Sequence, residues 1–195
     1  MTDTLRALRE RHLSMPKRRD QTAIDVPSAE WLCRACETTE AMDVLELGSG
    51  FSSWALRTWQ RAHPEVEIWT IDDEEHWLEK TRAELSLLGL RTDHVLPLTE
   101  LITTVPVPTF DLVFVDLDSP PTRVAHVSWL MQWLRPGGLL VLDDWHMPYY
   151  REPMTEALSA HGFVITEHPE TKDQWGRFLA SAVHQATHAN RGTHV

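Results

Sequence analysis

The chain is poor in cysteine, with two in 195 residues, and Cys33 and Cys36 form one CxxC with no second pair to complete a four-thiolate zinc site. They sit inside SAEWLCRACETTEAM, which reads as helix with no strand directly ahead of it. The pair therefore reads as two small helix residues rather than a thioredoxin-like redox motif. Positive charge is scarce as well: 18 Lys and Arg stand against 29 Asp and Glu, a formal net charge of -11. That balance argues against duplex nucleic acid or an anionic membrane as partner. Long apolar runs are missing too. The opening MTDTLRALRERHLSMPKRRD interrupts every apolar stretch with charge, so neither a signal peptide nor a membrane span is expected, and the expected location is cytoplasmic.

What is present suits one globular core: 42% of the residues are hydrophobic and 24% charged, with no internal repeat or low-complexity linker. Residues 1–25 form an N-terminal segment in which Leu5, Leu8 and Leu13 either line a short helix or stay mobile; 26–185 form the domain, and 186–195 a polar tail. Strands are expected at Asp43–Leu47, Glu67–Ile71, His94–Leu98, Phe110–Val115, LLVLDD (139–144) and Phe163–Thr166, followed by a last apolar segment, Phe178–Val183. Helical spacing is expected after Pro27, around Trp54 to Trp59, from His76 to near Gly89, over Arg123–Leu134 and over Arg151–Ala160. Strands alternating with helices predict a doubly wound, three-layer α/β fold with a mainly parallel sheet.

In such a sheet the ligand lies beyond the carboxyl ends of the strands. VLELGSGFSSWAL ends the first strand in a turn whose glycines, Gly48 and Gly50, permit a tight bend and close approach of a ligand to backbone amides. A dinucleotide fingerprint would have a third glycine where this chain has Ser53, which disfavours a nicotinamide cofactor. Asp72, at the end of the second strand, is placed either to accept hydrogen bonds from ribose hydroxyls or to cap the following helix.

From about Val26 to Val183 the chain resembles the class I S-adenosylmethionine-dependent methyltransferases, whose Rossmann-like sheet has seven strands and an antiparallel terminal pair. The resemblance implies that Glu46, Gly48, Ser49, Gly50, Phe51 and Ser53 lie beside the methionine part of the cofactor, that Asp72 binds the ribose, and that Leu96 lies beside the adenine.

Asp116, closing FDLVFVD, and the pair Asp143 and Asp144, closing LLVLDD, bring three carboxylates to the same sheet edge. They would repel one another unless protons or a cation intervened, and their hard oxygens suit Mg²⁺ or another hard divalent ion. The alternative is that they cap strands or contact loop amides and cofactor. The spacing resembles the metal-dependent catechol-type O-methyltransferases, which implies Asp116, Asp143 and Asp144 as metal ligands and Asp116 as a further cofactor contact. Those enzymes carry a lysine base three residues after the first ligand; here the position is Ser119, a weak base. Asp118 and His146 are the candidates to take a proton, the latter with a reference pKa of about 6.5. Either could equally hold the local structure.

Trp145 and Tyr149 beside the acidic pair either sandwich a planar acceptor or pack into the core. Lys17, Arg18 and Arg19 read as a solvated surface or as part of a lid that would favour an anionic substrate. The expected activity is methyl transfer from S-adenosylmethionine to an oxygen of a small-molecule acceptor, aromatic or hydroxylated, with metal assistance. Metal-independent transfer to nitrogen, carbon or a protein side chain, and noncatalytic cofactor binding, are the alternatives. The acceptor is not legible, and a homodimer is left open because dimer-forming apolar helices look like core helices.

Overall fold

The computed structural model describes residues 1–14, 23–117 and 119–185. Lys17, Arg18, Arg19, Asp118 and the tail from 186 lie outside the described residues. Seven strands, β1 (Asp43–Leu47), β2 (Glu67–Asp72), β3 (Val95–Pro97), β4 (Phe110–Val115), β5 (Leu134–Leu142), β6 (Phe163–His168) and β7 (Leu179–His184), form one sheet in the order β3-β2-β1-β4-β5-β7-β6. β7 runs antiparallel to β5 and β6, and the other pairings are parallel.

Eight α-helices accompany the strands among the described residues: α1 (Thr2–Ser14), α2 (Val26–Thr38), α3 (Phe51–Gln60), α4 (Glu75–Leu87), α5 (Leu98–Thr104), α6 (Pro120–Ala125), α7 (Val127–Met131) and α8 (Pro148–Ala160). Parallel strands buried on both faces must be apolar at nearly every position, and the alternation in β4 shows how each face is used. Leu112 and Phe114 pack with Leu32, Trp54 and Leu78 of α2, α3 and α4. Val113 and Val115 pack instead with Leu101, Leu130 and Met154 of α5, α7 and α8. Each such side chain taken fully out of water contributes about 1.5–3 kcal/mol.

α1 is an ordered helix joined to α2 and α3. Leu5 is buried in the core, Arg9 reaches Asp25 at 3.4 Å and lies over the Phe51 ring at 5.2 Å, and His12 meets Trp54 edge-on at 5.1 Å. Asp25 also caps α2 by accepting from the Val26 amide at 2.8 Å. Leu8 is half-buried and Leu13 faces outward.

Three expected elements differ. The helix expected over Arg123–Leu134 is two short helices, because Pro120 and Pro121 start it earlier with φ already set and His126, at φ -106 and ψ 14, interrupts it. Leu134 belongs to β5, which runs on through Pro136–Gly138 with a register irregularity against β4 between Phe110 and Leu112. Leu98, expected in a strand, starts α5 after Pro97. No helix among the described residues is long and apolar enough to cross a membrane.

Candidate active site

Sheet register builds the site. Leu47 pairs with both Ile71 and Val115, and Val115 with Leu142, so these residues at the carboxyl ends of the strands lie side by side. The residue following each of these, Gly48, Asp72, Asp116 and Asp143, is therefore presented along one edge, where chain direction across the sheet reverses between β1 and β4. Main-chain bonds extend the pairing beyond the strands: Gly48 donates to Ile71 at 2.8 Å, Asp116 to Leu47 at 2.7 Å and Asp143 to Val115 at 3.1 Å.

The two glycines of the turn after β1 differ in what they do. Gly48 has φ +100, and a Cβ there would meet the Asp116 backbone at 2.8 Å. A Cβ on Gly50 would meet nothing within 4 Å, so that residue opens onto the cavity. Ser53 is buried at the foot of α3 and its hydroxyl accepts from the Gly50 amide at 3.1 Å. It braces the turn. Ser49 donates to Asp72 Oδ2 from its amide at 2.9 Å and its hydroxyl at 2.7 Å, while Asp72 Oδ1 accepts from the Glu74 amide at 3.1 Å. Asp72 thus ties two loops together while lining the cavity.

That cavity, of about 450 Å³, is lined along the sheet edge by Asp72, Asp73 and Glu74, then Gly48, Ser49, Gly50 and Phe51, then Asp116, Asp143 and Asp144. Arg123 and Arg177 are the cations in its wall, and Ala23 and Ile24 close it from the N-terminal segment. A second, apolar cavity of about 320 Å³ shares Asp73, Leu117 and Arg123 with the first and is walled by Leu98, Ile102 and Trp129.

One oxygen from each of Asp116, Asp143 and Asp144 falls within 4.8 Å of the other two. Burial first, then the Asp143 charge, raises the Asp116 carboxyl well above the usual carboxylate range. Burial and the Asp144 charge push Asp143 up to about 7. The sequence did not flag Arg123. Its side chain is 4% exposed; Nη2 donates to Asp116 at 3.0 Å, Nη1 to Asp144 at 3.3 Å, and Nε to the Leu117 carbonyl at 2.8 Å. Its only sequence signal was a basic residue in the first helix after the β4 carboxylate.

Glu46 lies behind the turn rather than in the cavity wall. It is fully buried, accepts from Thr70 at 2.7 Å, leaves Oε1 without a hydrogen-bond partner, and is raised by burial to about 7. Leu96 is half-buried in the core, and its near neighbour Leu98 is the residue that walls the apolar cavity. Asp144, at φ +59, turns the chain so that Trp145 points inward: its ring is 1% exposed, its N–H donates to Glu167 at 3.0 Å, and it meets Tyr150 edge-on. A ring so enclosed offers no face to a planar acceptor. Tyr149 is 61% exposed, and its hydroxyl reaches Met147, a cavity residue, at 2.9 Å. His146 is half-buried with Nδ1 unpartnered, and Ser119 bonds Thr122 at 2.9 Å.

A family profile described as a methyltransferase domain matches residues 45–145. No curated protein matches the chain. Among solved structures, cofactor-bound Rv0187 from MTB is similar at 23% identity and TM-score 0.65, over 93% of this chain and 88% of that one. The O-methyltransferase TomG from Streptomyces achromogenes, involved in tomaymycin synthesis and in complex with SAM, is 21% identical at TM-score 0.61, over 93% and 88%. An O-methyltransferase from Bacillus cereus in complex with SAH is 15% identical at TM-score 0.61, over 94% and 100%. At these identities the likeness is one of fold.

Proposed function

The chain belongs to the methyltransferase-domain family, and from that premise we propose that it transfers the methyl group of S-adenosylmethionine to an oxygen of a small-molecule acceptor, assisted by a divalent cation such as Mg²⁺. The observation carrying this reading is the single cavity in which the glycine turn and Asp72 face the three carboxylates. Among the described residues its wall carries six acids against two arginines, and with Asp116 and Asp143 protonated four acids still outnumber them, a negative balance that suits a sulfonium cation. Relatives of the same fold described as O-methyltransferases, in complex with SAM or SAH, support the choice of donor and acceptor atom.

When bound, S-adenosylmethionine supplies an electrophilic methyl on a positive sulfur. In this reading Asp72 accepts from the ribose hydroxyls, the Ser49 hydroxyl turning away to release Oδ2. Gly50 lets the methionine portion approach the backbone, and Leu98 with Trp129 walls the adenine in the apolar cavity. The carboxyl oxygens of Asp116, Asp143 and Asp144 match the hard-oxygen donor set of a divalent cation, which would lower the pKa of an acceptor hydroxyl. Asp118 and His146 are the candidates to take the acceptor proton, His146 only after its ring turns, because its Nδ1 is buried and the residue does not line the cavity. Tyr149 offers an aromatic face near the mouth. Alignment of acceptor and methyl supplies the remaining rate enhancement.

Metal-independent transfer is the second reading, and one observation favours it: Arg123 already bridges two of the three carboxylates. Formation of S-adenosylhomocysteine on a panel of phenols and vicinal diols, with Mg²⁺ or with EDTA, separates the two. Turnover lost in EDTA and restored by Mg²⁺ supports the first; turnover indifferent to EDTA supports the second. No product on oxygen acceptors, with product on amines, would contradict the oxygen reading.

A further inference from the structure

The three carboxylates and Arg123 form a charge arrangement that is incomplete on either reading. If all three acids were ionised, Arg123 would leave two negative charges uncompensated in a buried site, since the other wall cation, Arg177, already pairs with Asp173 at 2.7 Å, and burial of unpaired charge is costly. Arg123 takes one oxygen of Asp116 and one of Asp144. It is also held from outside the cluster, by the Leu117 carbonyl at 2.8 Å and with its guanidinium carbon 5.9 Å from the Tyr150 ring centre. A divalent cation entering among these oxygens would share Asp116 and Asp144 with a fixed positive charge a few ångströms away and be repelled by it.

We propose that Arg123 is a resident competitor for the divalent cation, so that occupancy of the Asp116, Asp143 and Asp144 site is governed by displacement of the guanidinium. This rests on reading those carboxylates as the metal site. It predicts a weak site in the free protein, and it makes Arg123 a positioning residue that holds the acidic edge together when no cation is there. A planar fork bridges two carboxylates, whereas a lysine at this position reaches one and competes less.

The test is a Mn²⁺ titration of the metal-stripped full chain, counting free Mn²⁺ by electron paramagnetic resonance, on wild type, R123M, R123K and D143N, with folding checked by circular dichroism. R123M is expected to bind Mn²⁺ about tenfold tighter than wild type or better, R123K to fall between them, and D143N to lose binding. Loss of a purely structural residue would weaken binding, so tightening is the distinguishing sign. If the folded R123M binds no tighter while D143N still loses binding, the competitor role is overturned and the metal reading stands. If neither wild type nor R123M binds Mn²⁺ while S-adenosylmethionine still binds, the metal reading fails and the competitor role with it. Should R123M not fold, R123K decides by the same criterion, tighter than wild type or not.

Discussion

At the amino ends of β1 and β4, Arg135 donates to Asp43 at 2.7 Å and to Asp111 at 2.9 Å. At the carboxyl ends of β4 and β5, Arg123 donates to Asp116 at 3.0 Å and lies 3.3 Å from Asp144. Both are arginine forks across two aspartates from neighbouring strands, yet the charges respond in opposite ways. Partial burial works against ionisation of Asp111, but the Asp43 and Met42 amides and Arg135 still hold its carboxyl below the usual range. Asp116 is raised by burial and by Asp143 in spite of Arg123. Two differences account for this: Arg135 is 41% exposed where Arg123 is 4%, and only the carboxyl-end cluster carries a third acid. A solvated, balanced fork is a strand-end clip; a buried fork with surplus acid is the kind of strained charge found at functional sites.

The comparison can be broken most forcefully at Arg123. Arg123→Ala leaves buried carboxylates without their counter-ion and is expected to cost about 3 kcal/mol at neutral pH, measured by urea unfolding, with part of the loss recovered in millimolar Mn²⁺. Next comes Glu46, another buried acid at this end of the sheet. Its folded pKa of about 7 lies above the 4.5 of the free side chain, so the folded state binds the extra proton and stability falls as pH rises from about 4.5 through 7. Glu46→Gln removes that slope and is expected to raise stability at pH 8 by roughly 1–3 kcal/mol, read from unfolding midpoints at pH 5 and 8.

Smaller effects belong to the amino end. Asp111→Ala deprives the Met42 and Asp43 amides of their 2.9 Å acceptor and is expected to cost about 1 kcal/mol. Arg135→Ala, on a solvent-screened pair, is expected to cost about 0.5 kcal/mol and to leave Mn²⁺ binding unchanged. An Arg135 variant that altered Mn²⁺ affinity as much as an Arg123 variant would erase the distinction between the two forks.

The features of this comparison that lie in apolar strands were legible in the sequence. Asp43–Leu47 and Phe110–Val115 are bounded as expected, because each is a short apolar run, broken inside only by Glu46 or Asp111, that stops at Gly48 or Asp116. Gly48, Asp72, Asp116 and Asp143 followed from those strand ends. Arg123 did not, because its position depends on Pro120 and Pro121 starting a helix that breaks at His126, and nothing in the residue types fixes where the guanidinium returns. Trp145 was ambiguous for a similar reason: the left-handed turn at Asp144 decides which way the ring faces. Leu96 and Leu98 were separable only by knowing that the strand ends at Pro97.

The most direct test of the account is a calorimetric titration of the metal-stripped protein with S-adenosylmethionine, comparing wild type with Asp72→Ala at the carboxyl end and Asp111→Ala at the amino end. The account predicts one binding event in wild type, weakened about tenfold or more by Asp72→Ala and unchanged by Asp111→Ala. No heat of binding in the folded wild type, or equal binding in Asp72→Ala, would contradict it.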